Sequence, residues 1–252
     1  MSQGKQKQRI PLPPTANASK GVEIASPASR GVLARPLDAL AFLTPLILFY
    51  ELASAIQPGR VVAFELMRKF FELFGHFGVW APGVAVILIL LATHIASGES
   101  WRIHWRIVAW MYVEAVLLAI PLLLLNWSIP LAAGIEPGDS LVGRIAMGIG
   151  AGVYEELVFR LVLLSIVVVI GADVLRLDRG GVAVTAVVIS SIAFAAHHHR
   201  PFGSEPFDAT LFCFRALAGC YLSIVFWYRG YGPAAGCHAA YNVALAFVGA
   251  AG

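Results

Sequence analysis

Charge is what this sequence lacks. Only 13% of its 252 residues are Asp, Glu, Lys or Arg, against roughly a quarter in an ordinary soluble domain. A water-facing surface of normal polarity cannot be built from so few. The hydrophobic fraction is 59% and the mean hydropathy +0.77, enough apolar area to exclude disorder for most of the chain. The net charge is only +3, and six of the 18 basic residues fall in the first 36 positions. No basic face is left for nucleic acid. Cysteine is scarce too. Cys213, Cys220 and Cys237 lie in apolar stretches with no C-x-x-C spacing, which argues against structural zinc or a disulfide framework and for small buried hydrophobes. Such a chain belongs in membrane lipid.

What is present is a series of long apolar runs. A spanning helix needs about 20 apolar residues, and runs of that kind lie near 37–56, 78–97, 106–127, 142–171, 182–199, 207–228 and 233–251. The expected fold is an all-α, polytopic membrane helical bundle of about seven transmembrane helices. One interfacial amphipathic helix is expected as well, over Val61–Phe74, where charges fall at helical spacing among aromatics. Residues 1–36 are polar, Pro- and Ser-rich and basic, and read as a flexible tail ahead of a single bundle, 37–252. The tail side collects eleven Lys and Arg and the opposite side five, leaving out Arg160 and Arg215 inside spans. The positive-inside bias then puts the N-terminus in the cytoplasm, in a bacterial inner membrane. The sequence is silent on oligomeric state.

Against this background the buried polar residues stand out, because each ionisable group at depth costs roughly 2.5–3.5 kcal/mol to insert. The fourth run carries Glu155, Glu156 and Arg160. Glu156 and Arg160 are i and i+4, so they share a face and can pair. Glu155 is rotated by about 100° from Glu156 and is left free to do something else. A helix-locking ion pair is the plainer account of Glu156 and Arg160, but nothing structural requires the second acid. Gly148, Gly150, Ala151 and Gly152 nearby would let another helix come close. The fifth run ends in His197-His198-His199, of which at most two can face a common site. In the seventh, His238 and Asn242 share one helix face. Glu51, His94, Glu114 and Arg215 are further polar residues in or near spans, expected to pair among themselves or to line a water path. Acid, imidazole and amide groups drawn from three spans read as one buried site.

The patterns Glu155-Glu156-x-x-x-Arg160, Phe194-x-x-x-His198 and His238-x-x-x-Asn242 resemble, in order and spacing, the three motifs of the CPBP family. These are the CAAX-type prenyl endopeptidases and bacteriocin-processing or self-immunity (Abi) proteins. The resemblance covers roughly 142–251. It implies an intramembrane endopeptidase acting on membrane-associated peptides: CAAX-like tails, leader peptides or C-terminal sorting peptides. It further implies that Glu155 and His198 activate water, that His238 and Asn242 stabilise the oxyanion, and that Glu156 and Arg160 hold the first pair in place. No cofactor is expected on this glutamic-type mechanism. The alternative is a zinc metallopeptidase with Glu155, His198 and His238 as ligands, although no H-E-x-x-H spacing exists. From other functional classes come a non-catalytic immunity or scaffold protein of the same fold, and an ion carrier, for which no inverted repeat is visible.

Convergence of these groups meets one geometric difficulty. The fourth run, at about 1.5 Å per residue, is longer than a membrane requires, so it must tilt, project or break near Gly150–Arg160. His198 lies toward the outer end of its run and His238 toward the inner end of its own. Irregular backbone at Gly230, Gly232, Pro233 and Gly236 is expected to bring them together around a cavity.

Overall fold

The computed structural model describes residues 35–56, 80–129 and 140–248. Nearly all of the tail and all of the expected interfacial helix at 61–74 lie outside the described residues. Among the described residues there are seven helices and no strand: α1 Pro36–Ile56, α2 Ala81–Ser97, α3 Trp105–Ser128, α4 Leu141–Val174, α5 Arg179–Ala196, α6 Ala209–Arg229 and α7 Tyr231–Val248. Five of them, α1, α3, α4, α5 and α6, are long and apolar enough to cross a membrane. The chain is an integral membrane helical bundle.

Its polarity is inside out relative to a soluble domain. Leu48, Leu88, Leu117, Ile166, Val188 and Leu217, one from each of the first six helices, are exposed, whereas Glu51, Glu155, Glu156 and Arg160 are buried. Helices apolar all round suit lipid outside and polar contacts inside. Exposed Trp105 and Trp127 stand at the two ends of α3, roughly 33 Å apart at helical rise, as interfacial anchors do.

Two of the seven expected spans depart from the simple pattern. α2 has only 17 residues. α7 carries Gly, Pro, His, Tyr and Asn and is the central helix: Tyr231 through Ala239 are all buried, and it contacts α1, α3, α4 and α6. A helix surrounded by protein has no need of a lipid-compatible surface. The cysteines also diverge from expectation. All three are free thiols, but only Cys237 is buried, while Cys213 is exposed and Cys220 half-buried, because the latter two lie on outward parts of α6.

Helix ends are fixed by ordinary caps. Ser140, Asp178 and Asp208 accept from the backbone N–H of Gly143, Gly181 and Leu211, opening α4, α5 and α6. At the tail end, Arg35 bonds Glu99 (2.5 Å) and the buried Asp38 accepts from the His104 N–H (2.8 Å), tying α1 to the α2–α3 junction.

The geometric difficulty is solved differently from the expectation. α7 is continuous through Gly232, Pro233 and Gly236; Pro233 falls in its first turn, where a missing N–H costs nothing. The irregularity shrinks to Gly230, alone between α6 and α7 with φ of 84°, a value that favours glycine. α4 instead runs for 34 residues and widens into π-helical geometry from Leu157 to Leu164 and again from Val169 to Val174. α5 returns antiparallel along it. Nineteen positions separate Glu155 from the end of α4 at Val174, and nineteen separate the start of α5 at Arg179 from His198. The two strokes of the hairpin are matched, so Glu155 and His198 arrive at one level. Phe159 against Phe194 (ring centroids 5.6 Å apart) and Gly171 against Val182 mark the same register.

A Cβ built at Gly171 lies 3.5 Å from the Val182 Cβ, at the short end of the disulfide range. Gly171→Cys with Val182→Cys is therefore expected to crosslink on mild oxidation, read as a mobility shift reversed by reductant. Crosslinking of 171 to position 178 or 186 in place of 182 would show a different register.

Candidate active site

Three helices build the site, and close backbone approach sets their spacing. Gly152 of α4 sits against α7 so tightly that a Cβ there would lie 2.6 Å from the Ala239 Cα. Asn242 adds a bond across the same interface, its Nδ2 donating to the Gly148 carbonyl at 3.2 Å. This seats His238 beside both glutamates.

Glu156 and Arg160 form a fully buried ion pair, Nη1 to Oε1 at 2.7 Å. The guanidinium also donates to the Gly219 carbonyl of α6 at 3.2 Å and lies 4.4 Å from the centroid of the Phe194 ring. His238 Nδ1 is 2.9 Å from the same Glu156 oxygen. A carboxylate that already neutralises an arginine can only accept, so this imidazole nitrogen donates.

Glu155 faces the other way, as its rotation on the helix requires. Its Oε1 lies 3.8 Å from His198 Nε2 and 3.9 Å from His197 Nε2, and its Oε2 lies 3.7 Å from His238 Nε2. What these nitrogens carry follows from the end of α5. The last carbonyls of a helix have no intrahelical donor, and here Phe194 O takes His197 Nδ1 at 2.7 Å and His198 Nδ1 at 2.9 Å. A carbonyl only accepts, so both Nδ1 atoms bear hydrogen, and in the neutral rings both Nε2 atoms present lone pairs to Glu155. Lone pair and carboxylate oxygen are two acceptors. They call for a donor or a cation between them.

All six residues singled out in the sequence, Glu155, Glu156, Arg160, His198, His238 and Asn242, come together here. Two participants were missed. His197 joins His198 although the motif spacing singles out only the latter, and the Phe194 backbone carbonyl holds both rings; a histidine pair closing a helix is the signal for such a bond. His199 turns away, its Nδ1 on the Pro206 carbonyl at 3.0 Å. The secondary polar residues pair elsewhere: Glu51 accepts from the Tyr154 hydroxyl (2.9 Å), Glu114 pairs with Arg229, and Arg215 pairs with Glu205. His94 packs edge-on against Trp101.

A cavity of about 300 Å³ adjoins the cluster. His198, His238 and Asn242 line it, with Glu205, Arg215 and Tyr241 among its other polar residues and Leu122, Phe214 and Leu222 among its apolar ones. The donor set is also compatible with a divalent metal: one ligand atom each from Glu155, His197 and His198 lie within 4.8 Å of one another, and every Nδ1 is anchored as metal-ligating histidines require.

The two charges of the ion pair need each other. Arg160→Met should lower stability by about 3–5 kcal/mol, because a buried carboxylate loses its counter-charge. A fall in thermal midpoint in detergent reads this out. Glu156→Gln added to Arg160→Met should recover most of it, and no recovery would show that shape rather than charge governs the pair.

A family model described as Type II CAAX prenyl endopeptidase Rce1-like matches residues 137–244, the stretch that holds all six residues. No curated protein and no solved structure matches the chain.

Proposed function

We propose, from the match of residues 137–244 to a family model described as Type II CAAX prenyl endopeptidase Rce1-like, that this chain hydrolyses a peptide bond of membrane-associated peptides with Glu155 as general base. The observation that carries the proposal is the apposition of the Glu155 carboxylate to the His198 lone pair at 3.8 Å. A water molecule between them donates one hydrogen to each and is thereby oriented and activated.

Glu155 takes the proton as the water oxygen attacks the carbonyl carbon of a peptide in the cavity. The negative charge that develops on the carbonyl oxygen is met by the second amide hydrogen of Asn242 and by His238. Because His238 Nδ1 donates to Glu156, its Nε2 donates only when the ring is doubly protonated. Glu155 then returns the proton to the leaving nitrogen as the C–N bond breaks. Acid–base catalysis is worth about 10²–10⁴-fold and each oxyanion donor about 10²–10³-fold, so both are needed for useful turnover. A zinc ion held by Glu155, His198 and His238, or by His197 in place of His238, would supply Lewis acidity to the same water; we favour the mechanism without it, which predicts full activity in chelator.

Glu155→Gln and His198→Ala should each reduce cleavage by at least about 10²-fold while the protein still inserts and accumulates. Comparative proteomics of membrane peptides from cells with wild-type or Glu155→Gln protein is the readout, and unchanged peptides would overturn the assignment. For topology, we propose a cytoplasmic N-terminus in a bacterial inner membrane. With the seven crossings expected from the sequence, which put the termini on opposite sides, an alkaline phosphatase fused after the last helix should then be active; an inactive fusion of full length would overturn that topology.

A further inference from the structure

His198 lies past the end of α5, which closes at Ala196, so the chain that follows it decides where it sits. Residues 199–206 fold back on it. The Glu205 N–H donates to the His198 carbonyl (3.2 Å), the Glu205 carbonyl accepts from the Arg200 N–H (2.8 Å), and the Gly203 N–H donates to the His199 carbonyl (2.8 Å). Gly203 packs on the same stretch so closely that a Cβ there would lie 2.4 Å from the His198 oxygen. Loop and histidine form one bonded unit, and what displaces Glu205 displaces His198.

A side chain ties that unit to α6. The Glu205 carboxylate accepts both ends of the Arg215 fork, Nη1 to Oε2 at 2.7 Å and Nη2 to Oε1 at 2.9 Å, a planar match that fixes orientation as well as distance. Arg215 is the sheltered member, its side chain 16% exposed against 41% for Glu205. Four residues on, and on the same face of the helix, the Gly219 carbonyl accepts from Arg160 at 3.2 Å. Arg160 pairs with Glu156, the neighbour of Glu155. Gly219 also seats α6 on α5, since a Cβ there would lie 3.0 Å from the Ser191 Cα. One face of α6 thus holds both sides of the water site, the glutamates through Gly219 and the histidine through Arg215, about 6 Å apart along the helix. Water held between Glu155 and His198 depends on their separation of 3.8 Å, and a misplacement of about 1 Å costs roughly 10²-fold in rate. We propose that Arg215 is a positioning residue, which through Glu205 holds the His198 ring at its working distance from Glu155. The inference rests on the peptidase function proposed above and adds to it a tether that none of the three sequence motifs contains.

Both residues also line the cavity, so the test must separate positioning from contact with substrate. It uses purified full-length protein and a quenched-fluorescent farnesylated peptide. Arg215→Gln and Glu205→Gln should each lower kcat by roughly 10- to 100-fold and change KM by less than about twofold. The double variant should lose no more than either single one, because both act through one pair. Glu205→Arg with Arg215→Glu, which restores the pair in reverse, should recover most of kcat. Glu205→Gln and the reversed pair carry the test if Arg215→Gln fails to accumulate. Asp178→Ala removes the cap at the far end of α5 and should lower the thermal midpoint while leaving kcat intact. A kcat loss in Asp178→Ala equal to that of the pair variants would make the tether merely structural and overturn the inference. A raised KM at unchanged kcat in Arg215→Gln, the mark of direct contact with substrate, overturns it too, as do unchanged kinetics in both single variants. In each of these cases cleavage by wild-type protein, lost in Glu155→Gln, leaves the peptidase function standing. No cleavage by wild-type protein removes both claims for this substrate class.

Discussion

The candidate site depends on one unsatisfied carbonyl. α5 ends at Ala196, so the Phe194 oxygen has no helical N–H left to accept, and two imidazoles fill the vacancy. That bond dictates which nitrogen of each ring is protonated. It turns a run of histidines at a helix end, otherwise ambiguous in tautomer and direction, into two lone pairs aimed at one carboxylate. Had α5 run one turn further, the carbonyl would be consumed by the backbone and the rings released to solvent or lipid. The local accident of where a helix stops thus governs chemistry 3.8 Å away.

The other carboxylate works by being unavailable. Glu156 is neutralised by Arg160, accepts from His238 and has no surface exposure. Removing two charges from water costs several kcal/mol each, and a buried pair seldom recovers all of it. An ion pair as a simple staple would be an expensive choice in lipid, where apolar packing is freely available. Its orientation supplies what apolar packing cannot: it fixes the His238 tautomer through one oxygen and leaves Glu155, one residue earlier and a third of a turn round, facing three imidazoles.

Much of this was legible in the sequence because the signals were local. The i, i+4 spacing of Glu156 with Arg160 and the rotation of Glu155 away from them follow from helical geometry alone. The lipid-facing helices follow from composition. What could not be read was height. Centring the runs 142–171 and 182–199 on one membrane plane places His198 outward of Glu155 and asks for a broken last helix to compensate. The hairpin instead keeps its register from the turn, Glu155 lying nineteen positions before Val174 and His198 nineteen after Arg179, so the two residues meet although the runs differ in length. The part played by His197 is hidden for a related reason: on an ideal helix two adjacent side chains diverge by about 100°, but at a terminus both rings can fold back to the same carbonyl.

The distribution of polarity among the helices explains how such a site persists in a bilayer. α7 is less apolar than its neighbours and would insert poorly alone, yet its first nine residues are buried against other helices. Gly152 permits that burial, since the α4 backbone meets Ala239 with no side chain between them. The polar groups of α7 therefore face α4 and the cavity, and the exposed leucines, isoleucines and valines of α1 to α6 meet the lipid. Polar side chains inside a membrane protein are tolerated where they pair with one another or line a cavity. Here they do both, and the helix that carries two of them can be poor in hydropathy because protein, not lipid, is its solvent.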